Sequence, residues 1–226
     1  MAQPNSFATR QIGDDMSTYL PRAFELNNLV ALDRLAEQNP FATLIAATGS
    51  EPIIAHAPVL YRRDGDAIRL RGHLAKPNPL CHHDGDVTLV LHGPQHYVSP
   101  GWNPDKESAA RVPTWNYVVA HLHGRLSWYD DDAQLGALVH DLSRHFEPSV
   151  GGDWDFDPME DRFRRQLRGI VGFELTVTRI EFKAKLSQNH PPANQKAVHD
   201  ALVGLGNSEA FAVADWMRFD DNGETS

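Results

Sequence analysis

Trp115-Asn116-Tyr117-Val118-Val119-Ala120-His121-Leu122-His123-Gly124-Arg125-Leu126-Ser127-Trp128 alternates along its whole length. Val118, Ala120, Leu122, Gly124 and Leu126 fall on one face of an extended chain; Tyr117, Val119, His121, His123 and Arg125 fall on the other. A period of two is the mark of a half-buried strand. Working outward, Ala67 to Leu74 repeats the pattern, with Ile68, Leu70 and Gly72 opposite Arg69, Arg71 and His73. In Ile170 to Phe182, Val171, Phe173, Leu175 and Val177 oppose Glu174, Thr176 and Thr178. Phe41 to Thr48 and Ile53 to Tyr61 read as a strand and its return, and Asp64-Gly65 is a hairpin turn signal. Val87 to Leu91 is apolar on both faces, as a central strand is.

Helices punctuate this series. Asn27 or Asn28 caps a helix to about Gln38, with Val30, Leu32, Leu35 and Ala36 as its stripe, and Asn39-Pro40 ends it. Asp130 or Asp131 caps a second through His145, with Leu135, Leu138, Val139 and Leu142. Asp157-Pro158 opens an Arg-rich helix that ends before Gly169, and Ala193 to Met217 holds two short helices divided near Gly204-Leu205-Gly206. With no repeated strand–helix unit, the chain is mainly β with peripheral helices, and a closed antiparallel barrel accounts for it. Pattern alone fits an unspecified α+β domain equally well. Residues 1–18 read as a flexible N-terminal arm, 19–190 as the barrel domain with helical insertions, and 191–226 as a helical tail packed on the same domain.

The chain has 226 residues, 21 Lys and Arg against 30 Asp and Glu, and a net charge of −9. Such a surface repels phosphate backbones at long range. No apolar run reaches the roughly 18–20 residues that span a bilayer, so no membrane partner is expected. The single cysteine, Cys81, forms no intrachain disulfide, and no basic-then-apolar leader opens the sequence, which together suggest the cytoplasm.

Phosphate-loop, nucleophile-elbow and zincin motifs are absent. Cys81-His82-His83 has metal-like composition but no second cluster completes a site, so no metal is expected. His121 and His123 share a strand face and could meet a metal, a haem or an anion; bonding to strand neighbours is the plainer account. Arg69, Arg71, His73 and Lys76 could hold a phosphate or line a solvated face. The tail resembles a helix-turn-helix in outline, but residues 194–226 set Lys196 and Arg218 against Asp200, Glu209, Asp215, Asp220, Asp221 and Glu224, the wrong balance for a base-reading element. The cluster Arg162, Arg164, Arg165 and Arg168 is more basic but sits beside Asp155, Asp157, Glu160 and Asp161, as in an ion-paired surface helix.

Five strings in order carry a resemblance: Gly72-His73-Leu74-Ala75-Lys76-Pro77-Asn78-Pro79, Gly93-Pro94-Gln95-His96-Tyr97-Val98-Ser99-Pro100, Val112-Pro113-Thr114-Trp115-Asn116-Tyr117, Gly169-Ile170-Val171-Gly172-Phe173-Glu174 and Lys185-Leu186-Ser187-Gln188-Asn189. From about Tyr19 to Leu205 the chain resembles the PaiB-like, FMN-binding negative transcriptional regulators. The resemblance implies an FMN-binding split β-barrel of the pyridoxamine-phosphate-oxidase type, an antiparallel Greek-key barrel, assembled as a homodimer with FMN in the groove between subunits. It implies that Arg71, His73, Lys76 and Asn78 surround the phosphate. Ser99, Trp102, Trp115 and Asn116 suit the ring and its edges, and Lys185, Ser187, Gln188 and Asn189 are placed to reach across from the partner subunit. A role in transcriptional regulation, with a DNA or protein partner, follows from the resemblance alone. A flavin-dependent oxidoreductase is the alternative, with no catalytic residue assigned and His96, Tyr97 and His121 as titratable candidates; a haem-binding or haem-degrading barrel is a further one.

Overall fold

The structure is a computed structural model and describes residues 18–49, 51–157 and 160–218. Of the N-terminal arm only Thr18 is among them, and Pro158 of the Asp157-Pro158 helix signal lies outside them. Seven strands form one antiparallel sheet: β1 (Phe41–Thr48), β2 (Glu51–Pro58), β3 (Leu60–Asp64), β4 (Ala67–Ala75), β5 (Asp86–Val98), β6 (Thr114–Tyr129) and β7 (Ile170–Lys185), in the order β2-β1-β5-β6-β7-β4-β3. The edge strands β2 and β3 are consecutive in sequence and separated by Val59 alone. One residue cannot cross an open seven-stranded sheet, so the sheet curls until its edges meet. At the seam a Cβ on Gly72 of β4 would sit 2.9 Å from the Pro58 carbonyl oxygen of β2. Among the described residues no ladder joins β2 to β3, so the barrel is split there.

The expected single return strand Ile53 to Tyr61 is therefore two strands on opposite edges. Alternation hides the corner: Ala55, Ala57 and Val59 are all buried, so the period of two runs through it unbroken. Pro58 has no amide hydrogen to donate, and Val59 donates to the Pro40 carbonyl at 2.9 Å, leaving the β1–β2 ladder.

Inward-facing Leu44, Leu70, Leu89, Leu91, Leu122, Phe173 and Leu175 fill the barrel. Helix α1 (Leu29–Gln38) closes against it with Ala31, Leu32, Leu35 and Ala36, and Asn28 Oδ1 caps it by accepting from the Ala31 amide at 3.0 Å. Two helices, α2 (Asp132–Phe146) and α3 (Asp161–Leu167), lie between β6 and β7 and share a small core of Leu135, Phe156 and Leu167. Asp131 caps α2 through the amides of Ala133 and Gln134. Helices α4 (Pro192–Gly204) and α5 (Ser208–Met217) join the main core through Val198, Leu202, Val213 and Trp216. The Arg34 guanidinium lies over the Trp216 ring at 4.6 Å and pairs with Asp215, fixing α5 to α1.

The outer face of β1, β5, β6 and β7 carries a polar row. Thr43 Oγ1 lies 3.1 Å from His56 Nδ1 and 3.2 Å from His92 Nε2. His121 Nδ1 lies 2.7 Å from Thr18 Oγ1, and His123 Nδ1 lies 2.9 Å from Thr88 Oγ1. Between the two rings sits Glu181, 4% exposed, with Oε2 3.8 Å from His121 and 3.5 Å from His123, and Arg179 pairs with the same carboxylate. Burial pushes both imidazole pKa values down; Glu181 opposes this, while Arg179 adds to it.

Two outcomes follow. At the β6 irregularity between His123 and Gly124, a Cβ on Gly124 would meet the Thr176 carbonyl oxygen at 2.1 Å. Gly124→Ala forces strand backbone apart and will destabilise by about 2 kcal/mol or more, read as a lower urea midpoint at unchanged slope. His121 and His123 stay neutral in the folded state below the ordinary imidazole value of 6.5, whereas the unfolded chain takes up protons there. Stability is complete above that value and falls as pH drops below it, by up to about 1.4 kcal/mol per pH unit for each ring. Urea midpoints between pH 7.5 and 5.5 will show this decline, and His121→Gln with His123→Gln will flatten it.

Candidate functional site

The register of β7 separates the candidate residues into two groups. Gly172, near its start, pairs with His73 of β4, and Lys185, at its end, pairs with Tyr117 of β6. Thirteen residue steps of strand separate these points, a contour of about 40 Å.

The first group sits where β4 leaves the sheet. Arg71 and His73 are on its outer face because Leu70, Gly72 and Leu74 are on the inner one. Lys76 follows in the turn, and its amide donates to the Gly169 carbonyl at 2.8 Å. Asn78 is a cap: its Oδ1 accepts from the Leu80 amide at 2.9 Å. Arg71 Nη2 donates to Asp141 of α2 at 2.8 Å, and Lys76 Nζ lies 3.6 Å from Asp130. His73 Nδ1 is buried and has no hydrogen-bond partner, and burial lowers the pKa of this ring. Lys76, Cys81, His82, Trp128, Tyr129 and Asp130 line a shallow cleft of about 230 Å³ here.

The second group collects at the other end of β7, against the start of β6. Asn116, Lys185, Ser187 and Asn189 line a cleft of about 330 Å³. Trp115 stands beside it, 50% exposed, its ring edge-on to Tyr97 at 6.4 Å. Ser99 caps the turn Pro100–Trp102 by accepting from the Gly101 amide at 3.1 Å, and Trp102 is packed partly against the core. Others are bonded within the chain as well: Ser187 Oγ donates to Asn116 Oδ1 at 3.1 Å, and Gln188 closes the strand end by accepting from the Leu186 amide and donating to the Ala184 carbonyl. Lys185 Nζ donates to Thr114 Oγ1 and to the Trp115 carbonyl. Burial lowers its pKa, and Lys183 nearby adds to the shift.

The cleft has further walls that pattern reading did not single out: Arg111, Val112, Thr114 and His190. Arg111 makes a two-toothed pair with Asp105, which also accepts from Asn194 of α4. The Arg111 bonds, then the Asn194 bond, hold the Asp105 carboxyl down at about 2. The charge pattern Asp105…Arg111, with Asn194 far along the chain, gives no local periodicity to find. Of the titratable candidates, His96 Nδ1 lies 2.7 Å from the Tyr97 carbonyl oxygen, and His121 is tied to Thr18 on the outer face.

Residues 18–179 match the family described as "Putative FMN-binding domain". The chain is 29% identical over 209 residues to the protease synthase and sporulation protein PAI 2 of Bacillus subtilis, covering 88% of this chain and 96% of that one. It is 27% identical over 228 residues to the uncharacterized protein AN0679 of Emericella nidulans, covering 83% and 91%. Among solved structures, the FAD and heme binding protein of Mycobacterium smegmatis superposes with a TM-score of 0.51 at 16% identity, covering 69% of this chain and 70% of that one. The flavocytochrome Anf3 of Azotobacter vinelandii does so with 0.52 at 14%, covering 74% and 72%. These two likenesses show the fold to be that of a split barrel, and the sequence match shows the kinship: the chain belongs to the family described as "Putative FMN-binding domain".

Proposed function

We propose that the protein is a homodimer in which each FMN lies between two chains, its phosphate on Arg71, His73 and Lys76 of one and its ring against Trp102 and Trp115 of the other. The observation that carries this reading is the division of the two groups between opposite ends of β7, a contour of about 40 Å along the strand. A second copy related by a twofold axis would bring the opposite ends of two barrels together.

The phosphate end fits its ligand chemically. His73 offers a buried ring nitrogen with no partner inside the chain. Arg71 and Lys76 hold carboxylate partners in half-exposed pairs, which are weak and readily exchanged for a dianionic phosphate. When bound, FMN supplies electron transfer. The chain's own part is to anchor the phosphate, to set exposed aromatic surface against the ring, and to keep water from it.

Two roles follow for such a dimer. The first is regulation, as the resemblance to the PaiB-like regulators implies, run through the flavin or a protein partner. Against direct DNA reading, Arg162 and Arg164 are paired with Glu160 and Asp132, and the tail is acidic. The second is a flavin-dependent oxidoreductase, favoured by the cleft that opens beside Trp115.

Lys76→Ala and Trp115→Ala will each lose FMN on dialysis, measured by flavin absorbance per chain. Unfolded together and refolded, the two variants will recover sites, because one of the two sites in each mixed dimer is intact. Random pairing returns about a quarter of the wild-type number. No recovery places both groups in one chain's site and overturns the shared arrangement.

A further inference from the structure

The cleft at the end of β7, whose Lys185 and Ser187 the family resemblance counts among the flavin residues, has three features that the FMN arrangement proposed above does not use. The first is backbone strain. Among the described residues the two non-glycine residues with positive φ are Ala110 at 46° and Ser187 at 66°. Both line this cleft, one on the 105–113 loop and one on the turn after β7. Left-handed backbone without glycine costs on the order of 1 kcal/mol at each position and gathers at functional sites.

The second feature is charge. Arg34, Arg63, Arg71, Arg111, Arg125 and Arg179 all have carboxylate partners. Lys185 has none among the described residues; its ammonium meets only the Thr114 hydroxyl and the Trp115 carbonyl, which leaves a third N–H unused. Arg111 directs Nε and Nη2 at Asp105, so its charge is balanced while Nη1 stays open. The cleft therefore carries one uncompensated positive charge. The third feature is an unsatisfied atom: His190, another wall, has Nδ1 buried with no hydrogen-bond partner.

We propose that this cleft binds a small monocarboxylate, its head on Lys185 Nζ and Arg111 Nη1 and its short aliphatic body along Ala109, Ala110 and Val112. One net positive charge matches a monoanion. A phosphate dianion would bring a second charge against Asp105, which stays ionised. The volume of about 330 Å³ lies at the low end for ligand sites and has ample room for a carboxylate with a short aliphatic chain. The lowered pKa of Lys185 has the same origin, a half-buried cation beside Lys183 with no counter-charge. The cleft lies next to the proposed ring end, but its binding of a carboxylate is independent of whether flavin is shared between chains.

Calorimetric titration with butyrate, on the protein as purified and after saturation with FMN, tests this. Saturable binding is expected in both states, with inorganic phosphate a poor competitor. Lys185→Met is expected to weaken binding by at least about tenfold, and Lys185→Arg to retain most of it. Should Lys185→Met lose its thermal transition, Val112→Glu serves instead: the residue is 73% exposed, and the new carboxylate repels the ligand at the cleft mouth. No saturation with butyrate, tighter binding of phosphate, or affinity unchanged by the variants would each overturn the proposal. So would loss of butyrate binding on addition of FMN, which would make the cleft part of the flavin's own site.

Discussion

The molecule depends on one long strand having two different neighbours on the same edge. β7 pairs with β6 along almost its whole length, but on its other side β4 covers only residues 170–176. Beyond that point the edge is taken by the segment before α1, through the Glu25–Lys183 bridge and the Leu26 amide bonded to the Phe182 carbonyl. A strand shared in this way cannot lie flat. Its first half follows β4 into the curled side of the barrel, and its second half carries the outer row of Arg179, Glu181, Lys183 and Lys185. That division places the Arg71, His73 and Lys76 group at the start of β7, the cleft at its end, and the buried carboxylate of Glu181 between.

That carboxylate shows how the outer face remains stable with so many polar groups. Glu181 is nearly inaccessible, and a lone buried carboxylate would be costly. Arg179 and the two imidazoles surround it, and each imidazole is held in turn by a threonine hydroxyl. The histidines thus stand bonded to strand neighbours on either side of a buried charge. Thr18, the one described residue of the N-terminal segment 1–18, is part of this arrangement.

How much was legible in the sequence depended on whether a residue's role was periodic. β6 and β4 could be read because alternating burial is written directly in Val118, Ala120 and Leu122 or in Ile68 and Leu70. Capping could be read too, since Asn28 and Asp131 precede apolar stripes. The corner at Pro58–Leu60 could not, because both strands keep the same phase across it. The candidate residues were found as motifs, but their division between the two ends of β7 is a matter of register, which only pairing partners reveal. Roles were also blurred: Asn78, Ser99 and Gln188 hold turns together through the backbone, a use that polar residues after a strand end share with ligand binding.

The cleft was least visible for a physical reason. Its shape comes from left-handed backbone at Ala110 and Ser187, residue types that carry no sign of such a conformation, whereas Gly65 in the β3–β4 turn announces its own. Its charge is defined by what Lys185 lacks, and a missing partner cannot be read from neighbours in sequence. A fold that pairs so many of its arginines with carboxylates has the means to neutralise one more lysine. One carboxylate, Asp105, is bonded to a wall of the same cleft but not to Lys185. It is instead held by Arg111 and by Asn194 from α4, on the far side of the chain's order. That arrangement fixes the loop while leaving the ammonium of Lys185 open, which is the condition a site for an anion requires and a merely structural lysine does not.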